Sequence, residues 1–494
     1  MNVTRVEIIG APEMGVGKNR QSARAEKATP TRGEPRERRV MMGTKPDFSN
    51  LDACIDDAKR ATLDGATGPD DPIRYHELLG RLEAAKSKLP PLYVETVFKP
   101  YVSTLNAVGQ DLFNLILLRD PERESTGGLM LDIAHAILQN GEGFEPRATD
   151  AFQEVVSDLF DGFLSAEDRH GVKPPDKGVV APLVKWGNPS FGPYTWTVAA
   201  TEAFRVGASI VSLPPSLARK GLVAWGTLGH ETGGHDILQA DTGLQAEMAE
   251  KVHKALRKAK FKQPLAKYWA DRISETASDV LGILNMGPAA AIGIIAYFRG
   301  LRDAISGEPK LSNFGPSGGV HPADILRGYL GASTVRHLSF SGAADWAEAL
   351  TAETDKDLST IILARRKTTA EDARGSAAVV AETLVHEPMD ALESHSLGSI
   401  QDWRDEDEEI VSTLRTVLTS AVDLPNEIVP GTFAAHAVAA AIVAALADGG
   451  DIPIVFDRML SVLKTMHDEN PSWGPLFVSQ PGNIYMRRAY ESVS

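Results

Sequence analysis

The stretch His230-Glu231-Thr232-Gly233-Gly234-His235 brings together two histidines and a glutamate, residue types that bind and use metal ions. We interpret it as a zinc-binding helix of the H-E-x-x-H kind, in which the histidines are positions i and i+4. Such positions share one helical face, so two imidazoles can bind one Zn²⁺ while the glutamate reaches a water on the metal. The apolar residues 222–228 predict a buried start for this helix.

A second pair of residues, Glu275 and Asp279, stands at positions i and i+4 of a predicted helix further along the chain. A hydrolytic zinc site needs a third protein ligand and an open position for water. We predict Glu275 as that ligand. We expect Asp279 to accept the free ring N–H of a zinc-binding histidine, which would fix its tautomer. The alternative is an ordinary solvated acidic pair.

A third element is the glycine-rich turn Gly318-Gly319-Val320-His321. A histidine on such a turn can approach a metal and donate a hydrogen bond to the oxyanion of a tetrahedral intermediate. The alternative is a surface-loop histidine that precedes Pro322.

In this order, H-E-x-x-H, E-x-x-S-D-x-x-G and G-G-V-H resemble the motifs of the thermolysin family of gluzincin metallopeptidases. The resemblance covers residues 230–321. It implies a role for each residue of the set: His230, His235 and Glu275 bind zinc, Glu231 is the general base, Asp279 supports a zinc histidine and His321 stabilises the transition state. The chain departs from the thermolysin pattern in a longer gap before Glu275, in Ser274 and in Pro322.

Two further features follow from the same resemblance. His321-Pro322 together with Arg327 is similar to an H-P…R element of other gluzincins. A tyrosine often assists the reaction in this class, and Tyr268 and Tyr329 are the candidates.

A rival ligand set uses Asp241, which stands where metzincin-like sites place their third ligand. Met286 would then belong to a Met-turn. That geometry needs a glycine between the second histidine and the third ligand so that the chain can turn sharply, and Leu238 occupies the position. The sequence therefore favours Glu275.

Composition sets the broad class of the chain. With 494 residues, 43% hydrophobic and 24% charged, it is expected to be an ordinary globular protein of two or three domains. The net charge of −15 argues against nucleic acid as a partner. Cys54 is the single cysteine, which excludes an internal disulfide and suits a reducing compartment. No signal peptide and no apolar run of about 20 residues is evident, so we predict a cytoplasmic protein without a membrane span.

Along the chain we predict an α+β fold that is mainly α-helical, with a small sheet beside zincin-type helices. The predicted parts are a disordered segment at 1–46, a helical domain at 47–175, a zincin-like catalytic domain at 176–345 and a helical domain at 346–494. Strand composition marks 179–186, 194–198 and 207–213. In the last part the helices are expected at 346–366, 369–386, 405–422, 433–447 and 455–467.

The resemblance also implies that an edge strand before the zinc helix pairs with an extended substrate. Ala208–Leu213 is the candidate, and a plain buried strand is the alternative. The sequence as a whole predicts a peptidase with one Zn²⁺ per chain, acting on a peptide or protein. Two other classes stay open: an inactive zinc-binding pseudo-peptidase that serves as a binding or scaffold protein, and a non-metal helical protein with a chance motif.

Overall fold

The computed structural model describes residues 45–164, 169, 171–177, 180–420, 431–470 and 473. Of the segment 1–46 that is predicted to be disordered, residues 1–44 lie outside this part of the chain. The fold is 66% helical and 6% strand, which confirms a mainly α-helical α+β fold. Among the described residues, no helix is both long enough and apolar enough to cross a bilayer.

The α-helices have the following bounds: α1 Leu51–Leu63, α2 Tyr75–Ala85, α3 Pro91–Tyr93, α4 Lys99–Arg119, α5 Thr126–Glu142, α6 Pro146–Leu164, α7 Val198–Thr201, α8 Leu228–His230, α9 Leu244–Lys258, α10 Gln263–Ala270, α11 Ile273–Met286, α12 Pro288–Ser306, α13 Asp324–Arg336, α14 Ala343–Asp355, α15 Ala370–His386, α16 Leu397–Ile400, α17 Asp405–Thr419, α18 Ala434–Leu446 and α19 Ile452–Asp468. Short 3₁₀ and π segments connect several of them.

Two small sheets accompany the helices. The first contains β1 (Leu183–Trp186), β2 (Tyr194–Trp196) and β3 (Ile210–Leu213), in the order β1-β3-β2. β3 lies in the centre, parallel to β1 and antiparallel to β2. These are the three strands that the sequence predicts in the catalytic part.

The second sheet contains β4 (Phe314–Gly315), β5 (Ile361–Leu363) and β6 (Arg366–Thr368), in that order. The predicted helix at 346–366 is therefore wrong in its second half, because α14 ends at Asp355 and the hairpin β5–β6 follows. The remaining predicted helices of this region correspond to α15, α17, α18 and α19.

The described residues from Lys45 onward form one compact unit, and the predicted boundaries near 175 and 345 lie inside it. α1 packs on α12, and α6 packs on α19, so regions far apart in sequence share one core. That large core also contains the buried faces of α11 and α18. A second core lies between α2, α4 and α5 and the strands β1 and β3.

α11 and α12 form the scaffold beneath the candidate site. They follow each other with only Gly287 between them, and this residue takes a positive φ of 66° that L-residues avoid. Pro288 then begins α12, where its missing N–H costs no helical hydrogen bond. α11 is buried along almost its whole length, so any polar side chain on it needs a partner or a ligand.

Candidate metal centre

The two histidines of the first motif stand five positions apart, because Thr232, Gly233 and Gly234 separate Glu231 from His235. The prediction of an i, i+4 pair is thus wrong by one residue. In a regular α-helix, five steps would leave the two side chains about 140° apart around the axis. The chain instead widens into a π-helical segment, Glu231–Asp236, directly after α8.

A π turn accommodates one extra residue per turn, and such turns are frequent at functional sites. Here it returns His235 to the side of His230, and the two ring centroids lie 4.8 Å apart. The π turn therefore gives an H-E-x-x-x-H sequence the paired histidines that we expected from H-E-x-x-H.

Glycines allow this segment to pack directly on the backbone of α11. A Cβ on Gly282 would lie 2.6 Å from the carbonyl carbon of Gly229, and a Cβ on Gly234 would lie 2.3 Å from Cα of Ser278. Distances below 3.0 Å are not tolerated, so larger residues would push the two helices apart. This contact brings α11, which carries Glu275, close to both histidines.

His230, His235 and Glu275 form a group whose potential ligand atoms all lie within 4.8 Å of one another. Nε2 of His230 is 3.2 Å from Oε2 of Glu275, and Nε2 of His235 is 3.6 Å from Oε1. The buried Oε2 atom nevertheless accepts no hydrogen bond of normal geometry from a described residue. A buried carboxylate beside two converging ring nitrogens fits a bound divalent metal ion.

Asp279 lies behind His230, one helical turn after Glu275. Its Oδ1 is 2.8 Å from Nδ1 of His230, and Arg327 donates to both carboxylate oxygens at 2.6 and 2.8 Å. Burial opposes ionisation, but Arg327 and His230 lower the pKa of Asp279 to about 2. We assign the tautomer of His230 in which Nδ1–H donates to Asp279. In this tautomer Nε2 has a lone pair that can bind the metal.

The two histidines differ in their electrostatic surroundings. Burial and Arg327 act to lower the pKa of His230, but Asp279 and Glu275 outweigh them and raise it to about 9. Burial and the charge of His230 lower the pKa of His235. A metal ion at this position must therefore displace a proton from His230, so metal binding would release protons.

Glu231 is buried beside the cluster. Thr195 of β2 donates from its hydroxyl to Oε2 of Glu231 at 2.9 Å. The same hydroxyl is 3.3 Å from the main-chain carbonyl of Glu231. The side chain that the sequence assigns as general base is thus held by a strand residue that sequence reasoning did not identify.

His321 lies close to the cluster on an exposed loop. Its Nε2 is 3.1 Å from Oε2 of Glu275, although 60% of the side chain is exposed to solvent. Arg272 holds the loop in place through donation to the carbonyls of His321, at 3.1 Å, and Pro316, at 2.6 Å. The Arg272 guanidinium also stacks 3.8 Å from the ring centroid of Tyr268.

Beside these residues lies a cavity of about 610 Å³, within the range of small-molecule and peptide sites. His230, Glu231, His321 and Arg327 line it together with many apolar side chains. The apolar lining residues come from α1, from the loop before β2 and from α12, and they include Leu63, Phe191, Ile294, Tyr297, Phe298, Leu301 and Ile305.

Tyr297 is the tyrosine that lines this cavity, and the sequence analysis did not select it. Its hydroxyl makes no hydrogen bond to any residue of the described part of the chain. Burial and the charge of Glu231 raise its pKa, so the hydroxyl keeps its proton and is available as a donor. The predicted candidates have other partners, since Tyr268 accepts from the Ala323 N–H and Tyr329 donates to Asp355.

The geometry bears on two alternatives that the sequence left open. Asp241 does not join the metal cluster, because Arg169 donates to both of its oxygens at 2.8 and 3.0 Å in a buried ion pair. The metzincin-like ligand set is therefore not assembled. The candidate edge strand Ala208–Leu213 contains β3, which is central and fully buried, so the edge position beside the cluster belongs to β2.

Some of the missed residues had a signal in the sequence. Tyr297 is the one hydroxyl-bearing residue in the apolar run 286–298, and a hydroxyl buried there needs a hydrogen-bond partner or a ligand. Thr195 and Arg272 had none, because their roles depend on contacts with residues distant in sequence.

Comparison with protein-family models, with curated proteins and with solved structures finds no match to this chain.

Proposed function

We propose that this protein is a zinc-dependent peptidase of the gluzincin type, with Zn²⁺ bound by His230, His235 and Glu275. The observation that carries the proposal is the buried Glu275 carboxylate, on which the ring nitrogens of His230 and His235 converge at 3.2 and 3.6 Å. Two nitrogen ligands and one carboxylate are a ligand set typical of catalytic zinc, which keeps a further position open. Zn²⁺ would supply Lewis-acid polarisation of the scissile carbonyl and activation of a water molecule.

Glu231 suits the role of general base in this reaction. It borders the cavity next to His230, and the hydrogen bond from Thr195 occupies only one of its two carboxylate oxygens. The other oxygen, Oε1, accepts no hydrogen bond from a described residue and can take the proton of the attacking water. The same oxygen then delivers that proton to the leaving amine, so one residue serves both halves of the hydrolysis.

His321 and Tyr297 are the two side chains suited to stabilise the oxyanion of the tetrahedral intermediate. Both line the cavity, together with His230 and Glu231. The Tyr297 hydroxyl is protonated and has no partner in the described residues, so donation to a substrate oxygen would cost no existing hydrogen bond. Donors already fixed around the developing charge are the usual source of large rate enhancement.

The cavity and the sheet support an extended peptide as substrate. β2 pairs with β3 on one side and with no strand of the described residues on the other. Its outer edge therefore offers main-chain groups to an added strand, a common mode of peptide recognition. Isoleucine, leucine and aromatic side chains cover the cavity wall on α12, which favours apolar side chains next to the cleaved bond.

Cleavage of dye-quenched casein by zinc-loaded protein, compared with the Glu231→Gln variant, tests this function. The substitution preserves shape and all three metal ligands but removes the base. We expect the variant to keep its zinc, while the cleavage rate falls by at least about 10²-fold. Equal cleavage by the two proteins, or a wild type that binds zinc without cleaving casein or a peptide library, would contradict the proposal.

A further inference from the structure

A buried polar cluster lies behind β2, on the side away from the metal centre. Lys185 of β1 forms an ion pair with Asp132 of α5, with Nζ 2.8 Å from Oδ1. The Lys185 side chain is only 3% exposed and that of Asp132 only 14%. Burying a charged pair costs desolvation energy that the attraction often fails to recover, so such a pair is weak evidence for a purely stabilising role.

The second carboxylate oxygen of Asp132 holds β2. The Tyr194 hydroxyl and the Trp196 indole N–H both donate to Oδ2, at 2.6 and 2.7 Å. Lys185 also lies 5.5 Å from the ring centroid of Tyr194. Burial and the charge of Asp132 raise the pKa of Tyr194, so the tyrosine keeps its proton and remains a donor. Both ends of this three-residue strand are thereby fixed to one carboxylate.

The central residue of the strand faces the other way. Side chains alternate between the two faces of a strand, so Thr195 points opposite to Tyr194 and Trp196. Its hydroxyl reaches Oε2 of Glu231 at 2.9 Å. A continuous chain of polar contacts thus runs from the Lys185–Asp132 pair through β2 to the residue proposed as general base.

We propose that β2 is a positioning strap for the general base: Asp132 fixes the strand, and Thr195 holds the Glu231 carboxylate in one orientation. The inference rests on the proposed function. It assigns Thr195, Tyr194, Trp196, Asp132 and Lys185 as positioning residues that act through Glu231.

The strap has a clear physical task. A free glutamate side chain samples several rotamers, and a carboxylate that is misplaced by about 1 Å can cost about 10²-fold in rate. The hydrogen bond to Oε2 restricts this freedom while Glu231 lines the cavity. Because β2 is also the free edge of the sheet, the strand that aligns the base is the strand proposed to receive the substrate.

The first test uses Thr195→Val, which keeps the size of the side chain but removes the donor, and Thr195→Ser, which restores it. We expect Thr195→Val to keep zinc, melting temperature and KM for dye-quenched casein, while kcat falls about 10- to 100-fold. Thr195→Ser should recover most of this loss. A substitution that merely destabilised the fold would lower the melting temperature and would not be rescued in this way.

A second readout needs no cleavage. Acetohydroxamate binds to a metal and passes its proton to a nearby base, so its affinity reports on the placement of Glu231. We expect its titration into cobalt-substituted protein, followed by the visible spectrum, to give weaker binding for both Thr195→Val and Glu231→Gln. Failure to bind cobalt or zinc would overturn the proposed function itself. If the protein binds metal, and Glu231→Gln weakens the acetohydroxamate affinity while Thr195→Val leaves that affinity unchanged, only the strap would be overturned.

The strap also predicts that its residues act through one another. Tyr194→Phe removes the hydroxyl that binds Asp132, and we expect it to lower kcat in the wild-type background but not in the Thr195→Val background. Tyr329→Phe is the matched control, since Tyr329 also donates to an aspartate but lies outside the cavity lining. Its kcat should equal that of the wild type. Additive effects of Tyr194→Phe and Thr195→Val would mean independent roles and would refute the positioning chain.

Discussion

Gly234 and Ser278 lie so close together that a Cβ on Gly234 would be 2.3 Å from the Ser278 Cα atom. This contact joins the π segment that carries His235 to the helix that carries Glu275. The metal cluster therefore depends on backbone packing between two helices as much as on the ligands themselves.

A pair of neighbouring glycine substitutions tests this dependence. Gly234→Ala should force the helices apart, and we expect it to lose most of its zinc and to melt at a lower temperature. Gly233→Ala is the control, because its Cβ would meet no atom closer than 3.5 Å, and it should retain zinc. Metal analysis of both purified proteins decides the matter. Equal zinc content in the two would show that the close contact is not required.

The identity of the third ligand can be tested by metal content alone. We expect about one zinc per wild-type chain, as for a three-ligand site, and its loss in Glu275→Ala. Asp241→Ala should keep its zinc per folded chain but become less stable by roughly 3–5 kcal/mol, because Arg169 is left buried without its partner. Elemental analysis with denaturant unfolding measures both effects. Zinc retained by Glu275→Ala and lost by Asp241→Ala would reverse the ligand assignment.

His321 is expected to act on catalysis and not on metal affinity. If it donates to the oxyanion, His321→Ala should lower kcat by roughly 10²–10³-fold with little change in KM. Its zinc content should stay at the wild-type level, because His321 is outside the three-residue ligand group. Steady-state kinetics and metal analysis of the same preparation separate the two roles. A loss of zinc would instead make His321 a fourth ligand.

Cys54 provides a test of the core that is independent of the proposed chemistry. The thiol is 1% exposed, and burial with the nearby Asp57 raises its pKa to about 12 from 9.0. The folded state therefore favours the neutral thiol, and this contribution to stability is complete below pH 9 and is lost as the pH rises toward 12. At pH 8 the native protein should react with Ellman's reagent far more slowly than protein in guanidinium chloride. Equal rates would place Cys54 at the surface.

Much of the fold was predictable, because it depends on local patterns. The apolar periodicity of α15, α17, α18 and α19 indicated each helix within a few residues. The hairpin β5–β6 was missed because its strands are three residues long and follow directly on α14. Too few residues were present for the period of two to appear against the helical pattern before them.

The proximity of the candidate site residues was predictable, but their geometry was not. His230, His235, Glu275 and Asp279 do lie together, since metal and carboxylate chemistry restricts which residue types can serve. The separation of the histidines needed a π turn, which no local propensity predicts. Likewise, the sequence did not reveal that β2, and not β3, is the edge strand beside the cluster. Strand order decides this, and strand order is a property of the whole fold.

The π turn also has a consequence for how relatives of this chain would look. Gaining or losing one residue in an α-helix normally rotates everything downstream by about 100°. The loss of one residue between Glu231 and His235 would merely convert the π turn into a regular α-helical turn. The flanking helices would keep their register. Removal of Gly233, whose added Cβ would make only ordinary van der Waals contacts, would leave a conventional five-residue motif on the same scaffold. Homologues with and without the extra residue would then differ by a one-residue gap in the middle of a buried helix. A motif search with fixed spacing does not allow a gap at that place.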